Sequence, residues 1–557
     1  MFPKKISNAV MRIIAIKGKI ALKALENSSK NAMKENEELL KKILQDNKDT
    51  EYGKLHKFSE IKNIDDFRKN IPVSTYDDFA PYIERMKNGE ENLITSSKVL
   101  GYSRTSGSSG VPKYIPATES SLTAYVQNTW TRALALGIAD AKKNGREYHP
   151  GRGLYLSPAT NETLPNGLPC SNIAEIGARQ YGFVYPFILT IPTKNVFAVN
   201  DGDYIYLIYR YGLMDEDVSF IFSVFFSINV SQMAYLKENW RVIVDDIEKG
   251  VISDSIHIRP DLRAELSKTI KPMPERAAYL RRQFEQGFDD TLYKRLWPNL
   301  AVVCSIGNAS FKPAADYIRS FAGNVPFDFS IYGASEGLVA ACYELENTDM
   351  QLLTKSCFYE FIPIGEPDSD AVTLDKLEKG KQYEILITTQ AGLYRYRLKD
   401  VIEVKGFRNE CPLISFVYRK GQMFNIAGEK FSEEDARNTI EMLEKAHGIS
   451  IDHWLFYQDD TVIPNRYCLV VENPDGFDFD SCIDEIEGYM GVCNKRYPSQ
   501  REKKFISRLV VKTQKNGTHD EWAKLCISRG ASAAQVKPVH TLDNDEKREF
   551  FMSRVVR

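Results

Sequence analysis

Residues 30–95 read as helical and densely charged, with Pro72-Val73-Ser74 and Pro81 expected to punctuate helix ends. From Leu154 onward the pattern changes. Short apolar runs at 218–222, 301–304 and 327–332 alternate with helical stretches, the longest from about residue 232 to 249. Such alternation predicts an α/β core with largely buried strands. Two later runs, 384–389 and 401–404, predict a pair of strands forming a hairpin-like addition. After Arg419 the texture changes again. Ser432-Glu433-Glu434-Asp435 has a hydroxyl cap followed by first-turn acids, which predicts a helix running to Gly448. Strand-like pieces follow at 454–457, 467–471 and 508–511, with a helical candidate over 483–496. The expected organisation is a large domain over residues 1–419 and a small α+β domain over 420–557.

At 557 residues the chain exceeds what one hydrophobic core usually holds, which agrees with two domains. Hydrophobic residues make up 43% and charged residues 27%, the balance of a globular protein rather than a disordered or fibrous one. With 73 Lys and Arg against 75 Asp and Glu, the net charge of −2 gives no global argument for a nucleic-acid partner. A small-anion site needs only a few residues and stays open. Nine cysteines, an odd number without a C-x-x-C pair, fit neither a disulfide framework nor a zinc signature. They point to a reducing, cytoplasmic setting. No apolar run approaches the roughly 20 residues that span a bilayer.

Before Glu26 the amino terminus carries only basic charges: Lys4, Lys5, Arg12, Lys17, Lys19 and Lys23, interleaved with Met11, Ile13, Ile14 and Ile16. A first helix docked on the domain is the expectation. A membrane-surface helix or an organellar presequence is the alternative.

The sharpest local feature runs from Ser103 to Lys113, S-R-T-S-G-S-S-G-V-P-K. Thr105, Ser106, Ser108 and Ser109 supply hydroxyls, Gly107 and Gly110 let backbone N–H groups approach a phosphate, and Lys113 adds a point charge. The spacing is not that of G-x-x-x-x-G-K-[ST], because Tyr114 follows the lysine. A flexible polar turn is the competing reading. A second run is Ile331-Tyr332-Gly333-Ala334-Ser335-Glu336-Gly337. Its last five residues satisfy G-x-S-x-G, the nucleophile elbow of α/β-hydrolases, with His447, His453, His519 and His540 downstream. The other reading is a strand-end loop in which Tyr332 stacks on a base and Glu336 binds Mg²⁺.

A third run, 392–401, gathers Arg395, Arg397 and Lys399 around Asp400. A buried aspartate there would accept ribose hydroxyls and an arginine would answer phosphate charge. An edge strand with a solvated charged face fits the same residues. Tyr418-Arg419-Lys420-Gly421 opens the domain junction and suits a hinge. The seven histidines are dispersed and read as ordinary rather than as ligands.

Together and in this order, these stretches resemble the acyl acid amido synthetases, the auxin-responsive Gretchen Hagen family within the acyl-adenylate-forming superfamily. The likeness spans nearly the whole chain. It includes residues 71–76 (I-P-V-S-T-Y), 81–83, 167–169, 359–363, 388–397 (T-T-Q-A-G-L-Y-R-Y-R), 530–532 and 535–538. The resemblance implies an α/β fold: a large adenylation domain with mixed sheets and flanking helices, plus a small mobile α+β carboxy-terminal cap domain. It implies ATP and Mg²⁺ as cofactors, and a carboxylic acid and an amino acid as the small-molecule partners. The implied activity is adenylation of the acid followed by acyl transfer to the amine.

Carried over by motif, Thr105, Ser106, Gly107, Ser108 and Ser109 line the phosphates and Lys113 closes the loop. Tyr332 stacks against adenine with Gly333, Ala334 and Ser335 beside it, and Glu336 holds Mg²⁺. Asp400 takes the ribose hydroxyls, Arg419 sits at the hinge and Lys537 is the cap lysine that reaches the α-phosphate. The acid is expected against residues 125–132 and 222–233, whose aromatic and aliphatic side chains suit an apolar or aromatic acid.

One position departs from the family, which usually has glycine where Lys399 precedes Asp400. If that backbone needs positive φ, lysine costs about 1 kcal/mol. An acyl-CoA synthetase or acyl-AMP ligase shares the first half-reaction and is the nearest chemical alternative. A serine hydrolase using Ser335 and a non-catalytic nucleotide-binding protein are the others.

Overall fold

A computed structural model describes residues 4–106, 112–156, 162–171, 173–180, 182–191, 201–307, 312–420, 424–473, 476–528, 539–542 and 545–556. The chain divides into two compact units, a larger one taking in most of the chain up to Lys420 and a smaller one made mainly of the residues from 421 on.

The larger unit opens with helices at Lys4–Ser29, Ala32–Asn47, Glu51–Leu55, Ile64–Asn70 and Tyr76–Lys87. Short ones start where the sequence supplies a capping oxygen. Asn63 accepts from the Asp66 amide at 2.8 Å and Thr50 from the Gly53 amide at 3.0 Å. Pro81 does not end a helix as expected; it lies inside Tyr76–Lys87. A capping box of Thr75 and Asp78 holds the start, and burial of Phe79, Ile83 and Met86 carries the helix past the missing N–H.

The α/β alternation appears as a parallel sheet of four strands in the order Gly153–Tyr155, Phe220–Phe225, Val302–Ile306 and Phe327–Asp328. Strands covered on both faces read as apolar runs. The apolar stretch 220–230 is half strand and half helix, because Phe226–Lys249 begins where the strand stops.

Residues 327–332, expected as one strand, belong to two. Phe327–Asp328 ends the parallel sheet and Ile331–Gly333 starts another. The break falls at Ser330, whose φ is +67°. Arg132 pins it there: its guanidinium donates to both Asp328 oxygens, at 3.0 and 2.8 Å, and to the Ser330 carbonyl at 3.0 Å. Arg132 and Asp328 are both wholly buried, so neither can give up the other without leaving a charge in the core.

The second sheet has seven antiparallel strands, ordered Cys357–Pro363, Gln382–Thr389, Tyr396–Arg408, Cys411–Arg419, Met350–Leu352, Leu338–Ala341 and Ile331–Gly333. The late strand pair therefore lies inside a large sheet rather than forming a hairpin-like addition. Tyr396–Arg408 has a neighbour on each side, which removes the edge-strand reading of the 392–401 run. The early helices pack on this sheet, with Leu40, Ile43, Phe67 and Ile83 in one core with Phe358, Ile385 and Ile402.

The smaller unit is α+β. Its sheet runs Trp454–Asp459, Arg466–Glu472, Ser507–Gln514, the first pair antiparallel and the second parallel. The helix Glu433–His447 starts as expected: the Ser432 hydroxyl accepts from the Asp435 amide at 3.0 Å and Asp435 answers the Ser432 amide at 2.8 Å. Ile440, Leu443, Phe456, Leu469 and Ile486 form its core.

Candidate active site

Asp400 is the centre of the site and is fully buried. Its strand carries a bulge just before it. Arg397 pairs with Leu386 and Val401 with Glu384, so two extra residues are accommodated between them. Lys399 sits in this bulge with φ +64°, a left-handed backbone that glycine adopts freely and lysine does not. On its other side Asp400 is in direct register with Arg419. Cross-strand neighbours share a face, so the Arg419 guanidinium meets the carboxylate side-on. Nε donates to Oδ1 and Nη2 to Oδ2, the latter at 2.8 Å. The Tyr332 hydroxyl donates to Oδ2 at 2.6 Å.

Burial by itself would make Arg419 easier to deprotonate, but the adjacent Asp400 charge more than reverses this and raises its pKa. The Tyr332 hydroxyl is pushed well above its usual value, first by burial and then by Asp400. The Tyr332 ring leans on Phe416, centroids 5.8 Å apart, and the residue keeps 8% exposure.

Glu336 and Ser335 lie in the turn joining Ile331–Gly333 to Leu338–Ala341. The Ala334 amide donates to the Gly337 carbonyl at 3.0 Å and the Gly337 amide returns to Ala334 at 3.2 Å. Gly337 is required, because a Cβ there would come within 2.7 Å of the Cys357 sulfur. This is a β-hairpin, whereas a nucleophile elbow needs a strand-to-helix turn that exposes the serine. Among the described residues no hydrogen bond joins Ser335 to a histidine. The hydrolase reading of Ser335 is therefore corrected: G-x-S-x-G is present in sequence, and its structural context is absent.

The half-buried Glu336 carboxylate accepts from the Tyr396 hydroxyl at 3.2 Å and meets no cation at ion-pair distance among the described residues. Lys113, on the strand Pro112–Thr118, has its ammonium 5.3 Å from the centre of the Tyr76 ring. Its pKa is lowered, mainly by burial and further by Lys399 and Arg419, while Glu336 and Asp77 oppose the change. Lys113, Glu336, Lys399 and Arg419 thus share one electrostatic neighbourhood.

The three cations of the 392–401 run do not converge on Asp400 as expected. Arg395 forms a two-pronged pair with buried Glu360, at 2.9 and 3.1 Å. Arg397 pairs with Glu384 at 2.9 Å and with Asp368, and the Lys399 side chain points outward. Asp400 takes its cation from the next strand. Residues 71–76 also prove to be part of this construction. The Ser74 amide donates to the Arg395 carbonyl at 3.0 Å and the Arg397 amide to the Ser74 carbonyl at 2.9 Å. Two family-like motifs more than 300 residues apart are thereby zipped together.

An apolar pocket is lined by Tyr125, Trp130, Tyr155, Tyr185, Phe220 and Phe222. Trp130 stacks on Phe220 at 5.4 Å and Tyr155 on Phe222 at 5.5 Å. Of the stretches expected to line an acid site, 125–132 supplies Tyr125, Val126 and Trp130, and 222–233 supplies Phe222. Arg132 is committed to Asp328, and residues 228–233 are buried in the helix Phe226–Lys249. Tyr125 also packs with Ile331 and Leu338, which flank the Glu336 hairpin.

Tyr396, Tyr155 and Phe220 were not singled out from the sequence. Tyr396 could have been found from its place in the T-T-Q-A-G-L-Y-R-Y-R motif. Thr105 and Ser106 end the strand Val99–Ser106, and their side chains lie outside the described residues. Gly107, Ser108, Ser109, Gly110 and Lys537 lie outside them altogether, as does Gly421 of the expected hinge. In the smaller unit His447, Cys482 and Glu485 come together, His447 Nε2 being 2.9 Å from the Glu485 carboxylate.

The mixed α/β fold has counterparts among known proteins. Residues 21–327 match the GH3 family N-terminal domain, 350–419 the GH3 family central domain and 434–546 the GH3 family C-terminal domain. The chain belongs to the GH3 family. A probable indole-3-acetic acid-amido synthetase, GH3.1 of Arabidopsis thaliana, is 28% identical, with 96% of this chain and 93% of that protein covered. A jasmonoyl–L-amino acid synthetase, GH3.5 of Oryza sativa subsp. japonica, is 27% identical, with 92% of each covered. The solved structure of a GH3.15 acyl acid amido synthetase shares the fold, with a TM-score of 0.65, 24% identity and 96% of each chain covered.

Proposed function

We propose that this protein converts a carboxylic acid and ATP into an acyl adenylate and pyrophosphate, then transfers the acyl group to the amine of an amino acid, releasing AMP. The observation that carries this reading is the buried Asp400, clamped by Arg419 and Tyr332, in the neighbourhood of Lys113 and Glu336. Family membership supports it, since relatives are named as a jasmonoyl–L-amino acid synthetase and a 4-substituted benzoates-glutamate ligase.

Asp400 offers about four lone-pair positions, and three are used by Arg419 and Tyr332. The position left on Oδ1 is covered in this structure, and movement of Arg419 would free a position on each oxygen for the ribose hydroxyls. Because Asp400 is fully covered, ribose entry requires the partly exposed Arg419 side chain to swing aside, in keeping with a role near a hinge. Residues 1–419 act as the adenylation domain and 420–557 as the cap.

The acid's carboxylate oxygen attacks the α-phosphorus, and the bond to the β-phosphate oxygen breaks with pyrophosphate taking the electron pair. Two unit charges about 4 Å apart repel by roughly 4 kcal/mol at an effective dielectric near 20. That corresponds to about a thousandfold in rate. Lys113 offsets part of it, along with the hydroxyls and N–H groups of residues 105–109. Lys537 is assigned to the α-phosphate. In the second step the amine attacks the acyl carbon, AMP departs and the amine loses a proton.

Glu336 fits a divalent cation, being a half-buried carboxylate with a single neutral donor among the described residues. Magnesium bound there would neutralise phosphate charge. The aromatic lining of the Tyr125–Trp130–Phe222 pocket matches the apolar part of the acid in chemistry, and its volume of about 30 Å³ means that these side chains must move apart to admit it.

Pyrophosphate exchange into ATP, measured with a panel of aromatic, indolic and fatty acids, tests the reading. Exchange dependent on one acid is expected. ATP binding without exchange for any acid would replace this reading with that of a non-catalytic nucleotide binder.

A further inference from the structure

The helix Lys4–Ser29 rests on the larger unit through one narrow face formed by Ser7, Met11, Gly18, Leu25 and Ser28. At Gly18 the approach is of backbone on backbone, since a Cβ would lie 2.1 Å from the Thr131 carbonyl oxygen. That face is fully used in docking. On the opposite face Ile6, Ile13, Ile16 and Ile20 are 47, 56, 57 and 63% exposed. At about 100° per residue the four fall within an arc of about 80°. Exposed Lys5, Arg12, Lys19 and Lys23 run along one edge of this stripe and Lys17 along the other. No acidic residue precedes Glu26, and only Lys4 has a described carboxylate partner, Asp217.

We infer that this outer face is a docking surface for an anionic lipid membrane. An aligned stripe of exposed isoleucines is unlike singly scattered apolar residues and calls for a cover. The charge pattern selects the cover. Cations along both edges would oppose one another if a second copy packed its stripe on this one. Against a bilayer the isoleucines enter the acyl boundary while lysine and arginine reach up to lipid phosphates. The chain's net charge of −2 makes the attraction local to this helix, so it must weaken with salt. The helix lies in the membrane surface without spanning it, and no helix among the described residues is long and apolar enough to cross a membrane.

The test is flotation of the full-length protein with phosphatidylcholine vesicles, with and without phosphatidylglycerol. Partitioning onto the anionic vesicles alone, falling with added salt, is expected. The triple variant Ile13→Gln, Ile16→Gln, Ile20→Gln should weaken it by about tenfold or more. Lys19→Gln with Lys23→Gln should weaken it by roughly fivefold per cation. Both variants change exposed positions, and an unaltered urea midpoint checks that they fold. Absence of binding to anionic vesicles at low salt overturns the inference, as does binding that survives the isoleucine variant. Dimerisation lost in the isoleucine variant, without vesicle binding, would assign the stripe to a second copy instead.

Discussion

The carbonyl oxygen of Lys399 accepts a 2.7 Å hydrogen bond from the amide of Lys420, tying the residue before Asp400 to the residue after Arg419. This bond and the Asp400–Arg419 register brace the bulge, and with it the carboxylate that the proposed chemistry depends on. It also holds a lysine at φ +64°.

Lys399→Gly should therefore stabilise the protein by about 1 kcal/mol, less the extra freedom glycine gains in the unfolded chain. A higher urea midpoint is the expected result. A lower one would mean that the exposed lysine side chain contributes more than its backbone strain costs.

Arg419→Met leaves the Asp400 carboxylate buried with Tyr332 as its remaining described partner. Breaking such a pair costs about 3 kcal/mol or more, because the surviving charge stays out of water. Tyr332→Phe removes one hydrogen bond to a charged group and should cost about 2 kcal/mol. Denaturant titration of the two variants checks the order. A smaller loss in Arg419→Met than in Tyr332→Phe would contradict the clamp.

Glu336→Gln should slow adenylate formation by about a hundredfold or more, since a neutral amide would hold the phosphates' divalent counter-ion far less well than the carboxylate proposed for that role. The fold should survive, because the Tyr396 hydroxyl can still donate to the amide oxygen. Pyrophosphate exchange at saturating magnesium reads the rate, and unchanged exchange would remove Glu336 from the site.

Ser335→Ala, one residue away, should leave exchange within about twofold of the parent enzyme. A nucleophile activated by a base contributes far more than that. Its abolition of activity would restore the serine chemistry that the hairpin context argues against.

His519 in the smaller unit gives a pH signature. It is 7% exposed, and its pKa is lowered to about 3 by burial, with His453 and His540 adding to the effect. The folded state therefore resists protonation while the unfolded chain takes up a proton near pH 6.5. Stability is fully present above that pH and is lost as pH falls toward 3. Between pH 6.5 and 5 the loss from this residue is about 2 kcal/mol. Denaturant midpoints across that range should slope downward in the parent and much less in His519→Phe. Equal slopes would show that other groups carry the acid sensitivity.

Much of the fold was legible in the residue pattern because the relevant forces act over a few positions. The Ser432–Asp435 capping box, the buried strands expected at 301–304 and 384–389 and found at 302–306 and 382–389, and the α+β texture after 420 each follow from neighbouring residues. The strand break at Ser330 was not legible, since it depends on Arg132, some 200 residues earlier, reaching into the core to bind Asp328. Pro81 misled for a similar reason: burial of the helix face outweighed one missing backbone bond.

The candidate site divides along the same line. By itself the sequence determined which groups are available: the hydroxyl-rich run before Lys113, the G-A-S-E-G turn, the carboxylate at 400 and the unbroken positive charge of the first 25 residues. Only the tertiary structure decided their partners. It gave Asp400 to Arg419 rather than to Arg395 or Arg397, made G-A-S-E-G a hairpin, and turned four isoleucines of the first helix toward solvent. Helix caps and periodicity are written into adjacent residues, whereas ion pairs and exposed faces depend on strand order, a bulge that shifts register, and which side of a helix meets the core.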